Sequence, residues 1–206
     1  MRKITCHCEQ VFSADLPETV NLDENPGILD QIADGSFLSC VCPVCGSTLH
    51  TDLQTDILWP SKNVRLRLIP ELKRFSFASG KEKTAEGTQI VIGYPELADR
   101  VAVLRDGLDP LAVEALKYHL LEKAAEIPSE RDPYIVYEKR LDSGALEFHI
   151  FGLKTDEVAV TSVPFSLYEK VKQQAEEHPG DELFSALQNG AYLSVQNVFP
   201  ERTGGL

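Results

Sequence analysis

Cys42-Pro43-Val44-Cys45-Gly46 is the stretch that decides the fold, and it has a counterpart far upstream: Cys6-His7-Cys8, with 33 residues between the two clusters. The five cysteines, Cys6, Cys8, Cys40, Cys42 and Cys45, all fall within the first 45 of 206 positions. An odd number confined to one end does not describe a disulfide framework, which spreads along a secreted chain. Two tight clusters suit a tetrahedral metal instead. Zn²⁺ in a structural site takes four N or S ligands, with Zn–S near ~2.3 Å, and each short turn supplies half the shell. Pro43 pre-sets φ in its turn and Gly46 admits the left-handed geometry that closes it.

The expected ligands are Cys6, Cys8, Cys42 and Cys45 around one structural Zn²⁺, a staple for a region whose own core looks thin. His7, Cys40 and His50 lie close enough in sequence to replace one of them. Cys40 also reads as a small buried apolar residue on the strand leading into the second turn. The Cys42/Cys45 pair matches the spacing of a redox dithiol as well. Such motifs open a helix, whereas Gly46-Ser47-Thr48-Leu49-His50-Thr51-Asp52-Leu53 alternates like a strand. Reduced cysteines packed without metal and an iron–sulfur cluster complete the alternatives.

Working outward, residues 2–5 and 11–14 read as strands flanking the first cysteine turn, and residues 37–41 and 47–53 as strands flanking the second. Between them Asn25-Pro26-Gly27 opens a short helix, with Ile28, Leu29 and Ile32 at helical spacing and Asp34-Gly35 at its end. The segment resembles the bacterial CpXC domain, named for paired Cys-Pro-x-Cys motifs. The similarity extends to Asn25-Pro26, Ile28-Leu29, Ile32 and Asp34-Gly35. Downstream it takes in Tyr94-Pro95-Glu96-Leu97-Ala98-Asp99-Arg100-Val101, Asp106-Gly107-Leu108-Asp109 and Val113-Glu114-Ala115-Leu116-Lys117. It covers roughly residues 1–127. Cys6-His7-Cys8-Glu9 departs from the pattern: it lacks the proline, one spacer and the following glycine. The resemblance implies a zinc-ribbon-like fold and no particular reaction.

Further along, Val64, Leu66 and Leu68 alternate with Arg65 and Arg67, the period of a half-buried strand. Residues 62–83 carry seven basic and two acidic side chains, residues 1–61 two basic and nine acidic. The contrast suggests exposed faces that attract one another, with Arg65, Arg67, Lys73 and Arg74 as the alternative, a phosphate-binding patch. Residues 79–87 have a loop's composition, the expected mobile tip. Residues 88–92 read as a strand, 94–100 as a short helical turn and 101–104 as another strand. A strong helix follows, with Asp109 as N-cap, Pro110 at its first position and an apolar stripe of Val113, Leu116, Leu120, Ala124 and Ile127. Lys117 and His119 fall off that stripe and are expected in solvent.

Pro128-Ser129-Glu130-Arg131-Asp132-Pro133 is polar and doubly proline-marked, which puts a linker at 128–133 between a domain at 1–127 and one at 134–206. In the latter, residues 134–140 and 145–153 form a hairpin around Leu141-Asp142-Ser143-Gly144, and 157–161 add a third strand. Leu146, Phe148 and Ile150 are expected to face the core, with His149 on the other side. Ser166-Leu167-Tyr168-Glu169 fits a capping box. Residues 181–189 suggest a short helix, 191–195 a last strand and 201–206 a frayed tail.

The whole is read as α+β: an N-terminal zinc-ribbon-like antiparallel β unit with helices, plus a small C-terminal α+β domain. With 43% hydrophobic and 25% charged residues the composition is that of an ordinary globular chain, and the net charge of −12 disfavours general nucleic-acid or membrane-surface binding. No membrane-spanning run and no apolar leader after Met1 are visible, so a cytoplasmic location is expected. There is no phosphate-binding Gly-rich loop and no nucleophile elbow. Four thiolates would fill a zinc shell and leave no site for water. No catalytic residue is assigned. The expected role is a non-catalytic binding or adaptor module with a protein partner; the alternatives are a thiol redox protein using Cys42 and Cys45, or nucleic-acid contact through 62–83.

Overall fold

The computed structural model describes residues 1–78, 85–127 and 132–199. The chain is α+β and divides into two compact units, Met1–Ala98 and Asp99–Leu206.

The first unit begins with a hairpin of β1 (Arg2–Thr5) and β2 (Val11–Ala14), antiparallel with Ile4 opposite Phe12. After β3 (Thr19–Asn21) comes α1 (Gly27–Asp34), ended by Gly35 at φ 81°, a left-handed cap that glycine takes without strain. A second hairpin, β4 (Ser39–Val41) and β5 (Thr48–His50), pairs Cys40 with Leu49. The strands of the first hairpin have the expected bounds, while both strands of the second are shorter than the alternation suggested at 37–41 and 47–53; Leu38 at φ 61° breaks the extended backbone just before β4.

A mixed sheet completes the unit. β6 (Thr55–Trp59) lies between β3, parallel to it, and β7 (Val64–Ile69), antiparallel, and β7 continues parallel to β8 (Gln89–Ile92). Arg65 and Arg67 alternate with the fully buried Leu66 and Leu68, as the period-2 pattern requires. Ile90, Val91 and Ile92 are all buried, which marks β8 as covered on both faces. A short helix α2 (Arg74–Ala78) lies between β7 and β8. Residues 79–84 of the expected mobile tip lie outside the described residues.

Residues 93–105 form one helix, α3 (Gly93–Arg105), not a turn followed by a strand. Leu97, Val101 and Leu104 are buried at spacings of four and three, a helical stripe that outweighs the strand preference of Val101 and Val103. Gly107 at φ 71° ends it: the Leu108 amide donates to Val103 O at 3.1 Å and the Gly107 amide to Leu104 O at 3.1 Å.

The second unit is organised on α4 (Pro110–Ala125), whose N-cap Asp109 accepts from the Ala112 amide at 2.9 Å. The helix is buried nearly all round, from Ala112 through Lys117 and at Leu121 and Ala124, while Ile127 beyond it is 52% exposed. The expected single stripe is therefore replaced by a central helix. It packs on β9 (Tyr134–Arg140) and α5 (Phe165–Glu177). β9, β10 (Leu146–Lys154) and β11 (Glu157–Val163) make an antiparallel sheet in the order β11-β10-β9, with Leu146, Phe148 and Ile150 in the core. α6 (Glu182–Ala186) leads into a hairpin of β12 (Gln188–Asn189) and β13 (Tyr192–Leu193), shortening the helix expected at 181–189. α5 starts at Phe165 with Pro164 before it and no side-chain cap, so Ser166 sits inside the first turn and makes no capping box.

The division at Ala98/Asp99 differs from a boundary at 128–133: α4 shares one core with the strands that follow it. Of the proline-marked segment, 128–131 lie outside the described residues, as does the tail 201–206.

Candidate metal centre

Each cysteine cluster sits at the tip of one short hairpin. In the first, the Cys6 amide donates to Gln10 O at 2.9 Å and the Glu9 amide closes the turn on Cys6 O at 2.9 Å. In the second, the Cys42 amide donates to Ser47 O at 2.9 Å and the Gly46 amide closes on Cys42 O at 3.0 Å. The first turn is thus the second with one residue removed. Glu9 at φ 66° occupies the left-handed position that Gly46 holds at φ 72°. The missing spacer is absorbed by a tighter closure, and the missing glycine by a strained glutamate.

The tips bring four sulfurs together. Cys6 Sγ lies 3.5 Å from Cys45 Sγ and Cys8 Sγ 3.7 Å from Cys42 Sγ, and all four sulfurs lie within 4.8 Å of one another. These are not disulfides, whose sulfurs stand about 2.05 Å apart. They match the edge of a tetrahedron with sulfur at ~2.3 Å from its centre, about 3.8 Å. Cys6 and Cys42 are buried, Cys8 and Cys45 exposed. Beneath them Ile4, Ala14, Leu16 and Leu49 form a small apolar cluster that includes Cys6 and Cys42, with Phe12, Cys40 and Leu53 packed against it.

Backbone amides two positions on serve the sulfurs alike: Cys8 N–H to Cys6, Val44 N–H to Cys42 and Ser47 N–H to Cys45. The Ser47 hydroxyl, 3.3 Å from Cys45 Sγ, and the Ser47 amide bring the Cys45 thiol down to about 6. The amide of Cys45, with that of Val44, lowers Cys42 against its burial. The Cys8 amide pulls Cys6 down too, but burial and hydrogen bonding to the neighbouring sulfurs push it up to about 12. Amide donors thus favour the thiolate at Cys42 and Cys45, the form a metal ion binds.

The other candidates lie apart from this group. His50 Nδ1 contacts Ser39 Oγ at 2.9 Å and Gly35 O at 3.1 Å, His7 is exposed, and Cys40 packs in the apolar cluster. After Cys45 the chain continues into β5, a strand, so the dithiol lacks the helix that activates redox pairs. In the basic segment, Arg67 makes two bonds to Asp56, at 2.6 and 2.9 Å, and Arg74 is held by Glu71 at 2.8 Å and Glu96 at 2.9 Å. Arg65 and Lys73 are exposed, and Lys81 and Lys83 lie outside the described residues.

A second polar cluster was not foreseen. In the second unit Lys117, only 3% exposed, is buried rather than in solvent. Its Nζ donates to Asp99 Oδ2 and, at 2.9 Å, to Glu114 Oε1. Asp99 Oδ1 accepts from the Tyr137 amide at 2.6 Å, Glu114 Oε2 from the Val195 amide at 2.7 Å, and Arg100 donates to Leu193 O at 2.7 Å. Two carboxylates and two cations balance, and the carboxylates also fix the backbone of β9 at Tyr137 and of the segment after β13 at Val195. Burial works to discharge Lys117, but Asp99 and Glu114 outweigh it and raise its pKa. Burial likewise opposes the charge on Glu114, which Lys117 and Arg100 hold low, whereas burial keeps Asp99 raised. The signal was available: Glu114 and Lys117 are the two charges among the first ten residues of α4, too few for a helix with a solvent face.

Both clusters fall inside one family match. The CpXC protein family matches residues 4–117 of this chain. An uncharacterized protein of Treponema pallidum (strain Nichols) is 36% identical over 219 aligned residues, covering 98% of this chain and 100% of the relative. No solved structure matches the chain. No helix among the described residues is long and apolar enough to cross a membrane.

Proposed function

The chain belongs to the CpXC family, and from that premise and the convergence of its four sulfurs we propose that it is a non-catalytic zinc-binding adaptor. Cys6, Cys8, Cys42 and Cys45 hold one Zn²⁺ as a folding staple, and the partner is a protein met in the cytoplasm. The observation that carries the reading is the sulfur geometry: separations of 3.5 and 3.7 Å leave a centre sized for a thiolate-bound Zn²⁺. Buried Cys6 and Cys42 fix the inner half of the shell, amide donors steady the charge on the sulfurs, and four thiolates saturate the ion. Such an ion ties two hairpins together and offers no open position for substrate water. The net charge of −12 and the ion pairs of Arg67 and Arg74 favour a protein partner over nucleic acid.

Elemental analysis of protein purified without chelator is expected to give one zinc per chain. Cobalt substitution is expected to give the intense visible bands of a tetrahedral tetrathiolate, lost in Cys42→Ser. Metal-free protein with four freely reactive thiols would refute the reading. It would support the second one, a thiol redox protein using Cys42 and Cys45, for which the exposed Cys45 thiol near 6 speaks.

A further inference from the structure

The four sulfurs differ in exposure, and the difference is distributed in a particular way. Cys8 and Cys45 are exposed, Cys6 and Cys42 buried. Each hairpin thus supplies one sulfur of each kind, and short contacts cross between the hairpins. Exposed Cys45 lies 3.5 Å from buried Cys6, and exposed Cys8 lies 3.7 Å from buried Cys42. Each exposed cysteine therefore has a shielded one against it on the opposite hairpin. Within the first turn a single residue, His7, separates the cysteines, which leaves a ring too tight for an unstrained disulfide. Closing Cys42 on Cys45 would oxidise one turn and leave the other without a partner. Closing crosswise uses all four sulfurs and needs each pair to approach by only about 1.5–1.7 Å to reach disulfide length.

Resting on the zinc reading above, we propose that the centre is a peroxide-responsive release site: a hydroperoxide oxidises the sulfurs crosswise, to Cys6–Cys45 and Cys8–Cys42 disulfides, and the shell gives up its ion. The exposed sulfur of each pair is the one a peroxide reaches. Cys45 Sγ attacks one peroxide oxygen, the O–O bond breaks, and a sulfenic acid and hydroxide result. Cys6 Sγ then attacks Cys45 Sγ; the S–S bond forms as the S–O bond breaks and a second hydroxide leaves. Cys8 and Cys42 repeat the sequence. Two peroxides are reduced, four thiolates become two disulfides, and the charge that held a dication is gone. Both new bonds tie the same two hairpins over the apolar cluster of Ile4, Ala14, Leu16 and Leu49, so the hairpins stay joined without the ion. A dithiol reductant reverses the step by thiol–disulfide exchange and restores the thiolates.

The test titrates zinc-loaded, full-length protein with hydrogen peroxide beside a chromogenic chelator too weak to strip the untreated chain. About two equivalents of peroxide are expected to release the ion, and dithiothreitol with added zinc to return the original occupancy. Cleavage at glutamate without reduction is expected to leave the Cys6/Cys8 peptide linked to that of Cys42 and Cys45. Partial reduction with differential alkylation is then expected to assign Cys6 to Cys45 and Cys8 to Cys42. Cys40 is expected to stay a free thiol, and Cys40→Ser to release zinc with the same stoichiometry. Any other pairing, Cys42–Cys45 included, overturns the proposal, as do sulfinic acids without a link or an ion retained through the titration. Each of these leaves the zinc reading standing. Protein that holds no zinc before peroxide is added refutes that reading and this one together.

Discussion

Glu9 carries the cost of the shortened first knuckle. At φ 66° it holds a conformation that strains an L-residue by roughly 1–2 kcal/mol, whereas Gly46 occupies the same place freely. Glu9→Gly is therefore expected to stabilise the first unit by about 0.5–1 kcal/mol after the extra freedom of glycine in the unfolded chain is deducted. Gly46→Ala should do the reverse, and denaturant midpoints of the purified protein check both. Asp56 offers a residue-scale test of pH. The two hydrogen bonds from Arg67 hold its carboxyl below the ordinary range, against the effect of burial. The folded chain then binds that proton less readily than the unfolded one. The stabilisation is complete above the unfolded value of about 3.9 and is lost as pH falls through the lower folded value. Arg67→Met is expected to flatten that part of the acid stability profile.

At the level of elements, α4 is the part whose character changes most between pattern and structure. Its N-cap at Asp109 and its start at Pro110 were legible because capping is local chemistry. So were the hairpins around Cys42–Cys45 and Leu141–Gly144, set by turn residues. The sparse charge of α4 pointed to the burial of Lys117, but its partnership did not show, because Asp99 comes from another helix and a Glu114/Lys117 pair at i,i+3 also suits a solvated face. α3 was misread for a related reason: Val101 and Val103 favour strands locally, and burial of one helical stripe decided otherwise. The network makes a sharp prediction. Lys117→Met leaves Asp99 as an uncompensated buried carboxylate and is expected to destabilise the second unit by about 3–5 kcal/mol. Adding Asp99→Asn is expected to recover part of that loss, as a thermal melt of the pair would register.

Across the whole molecule, the four cysteines were legible as two clusters, yet their meeting depends on a tertiary arrangement that spacing alone does not specify. The extent of each unit was hidden more deeply. Pro128 and Pro133 mark a break in the chain, but α4 has its core among strands that lie beyond them. If metal staples the hairpins, Cys45→Ala is expected to speed amide exchange in residues 2–14 and 39–50 while 146–163 keep their protection. Uniform protection in exchange mass spectrometry would count against the staple.

The paired sulfurs are 39 and 34 positions apart along the chain. If these sulfurs hold a metal, a polypeptide growing from its N-terminus presents Cys6 and Cys8 first, a half-chelate that would exchange a soft ion readily. Selection would then wait until Cys45 has been synthesised and both tips can close. The ion retained would be the one that suits the finished tetrahedron, whatever was encountered first.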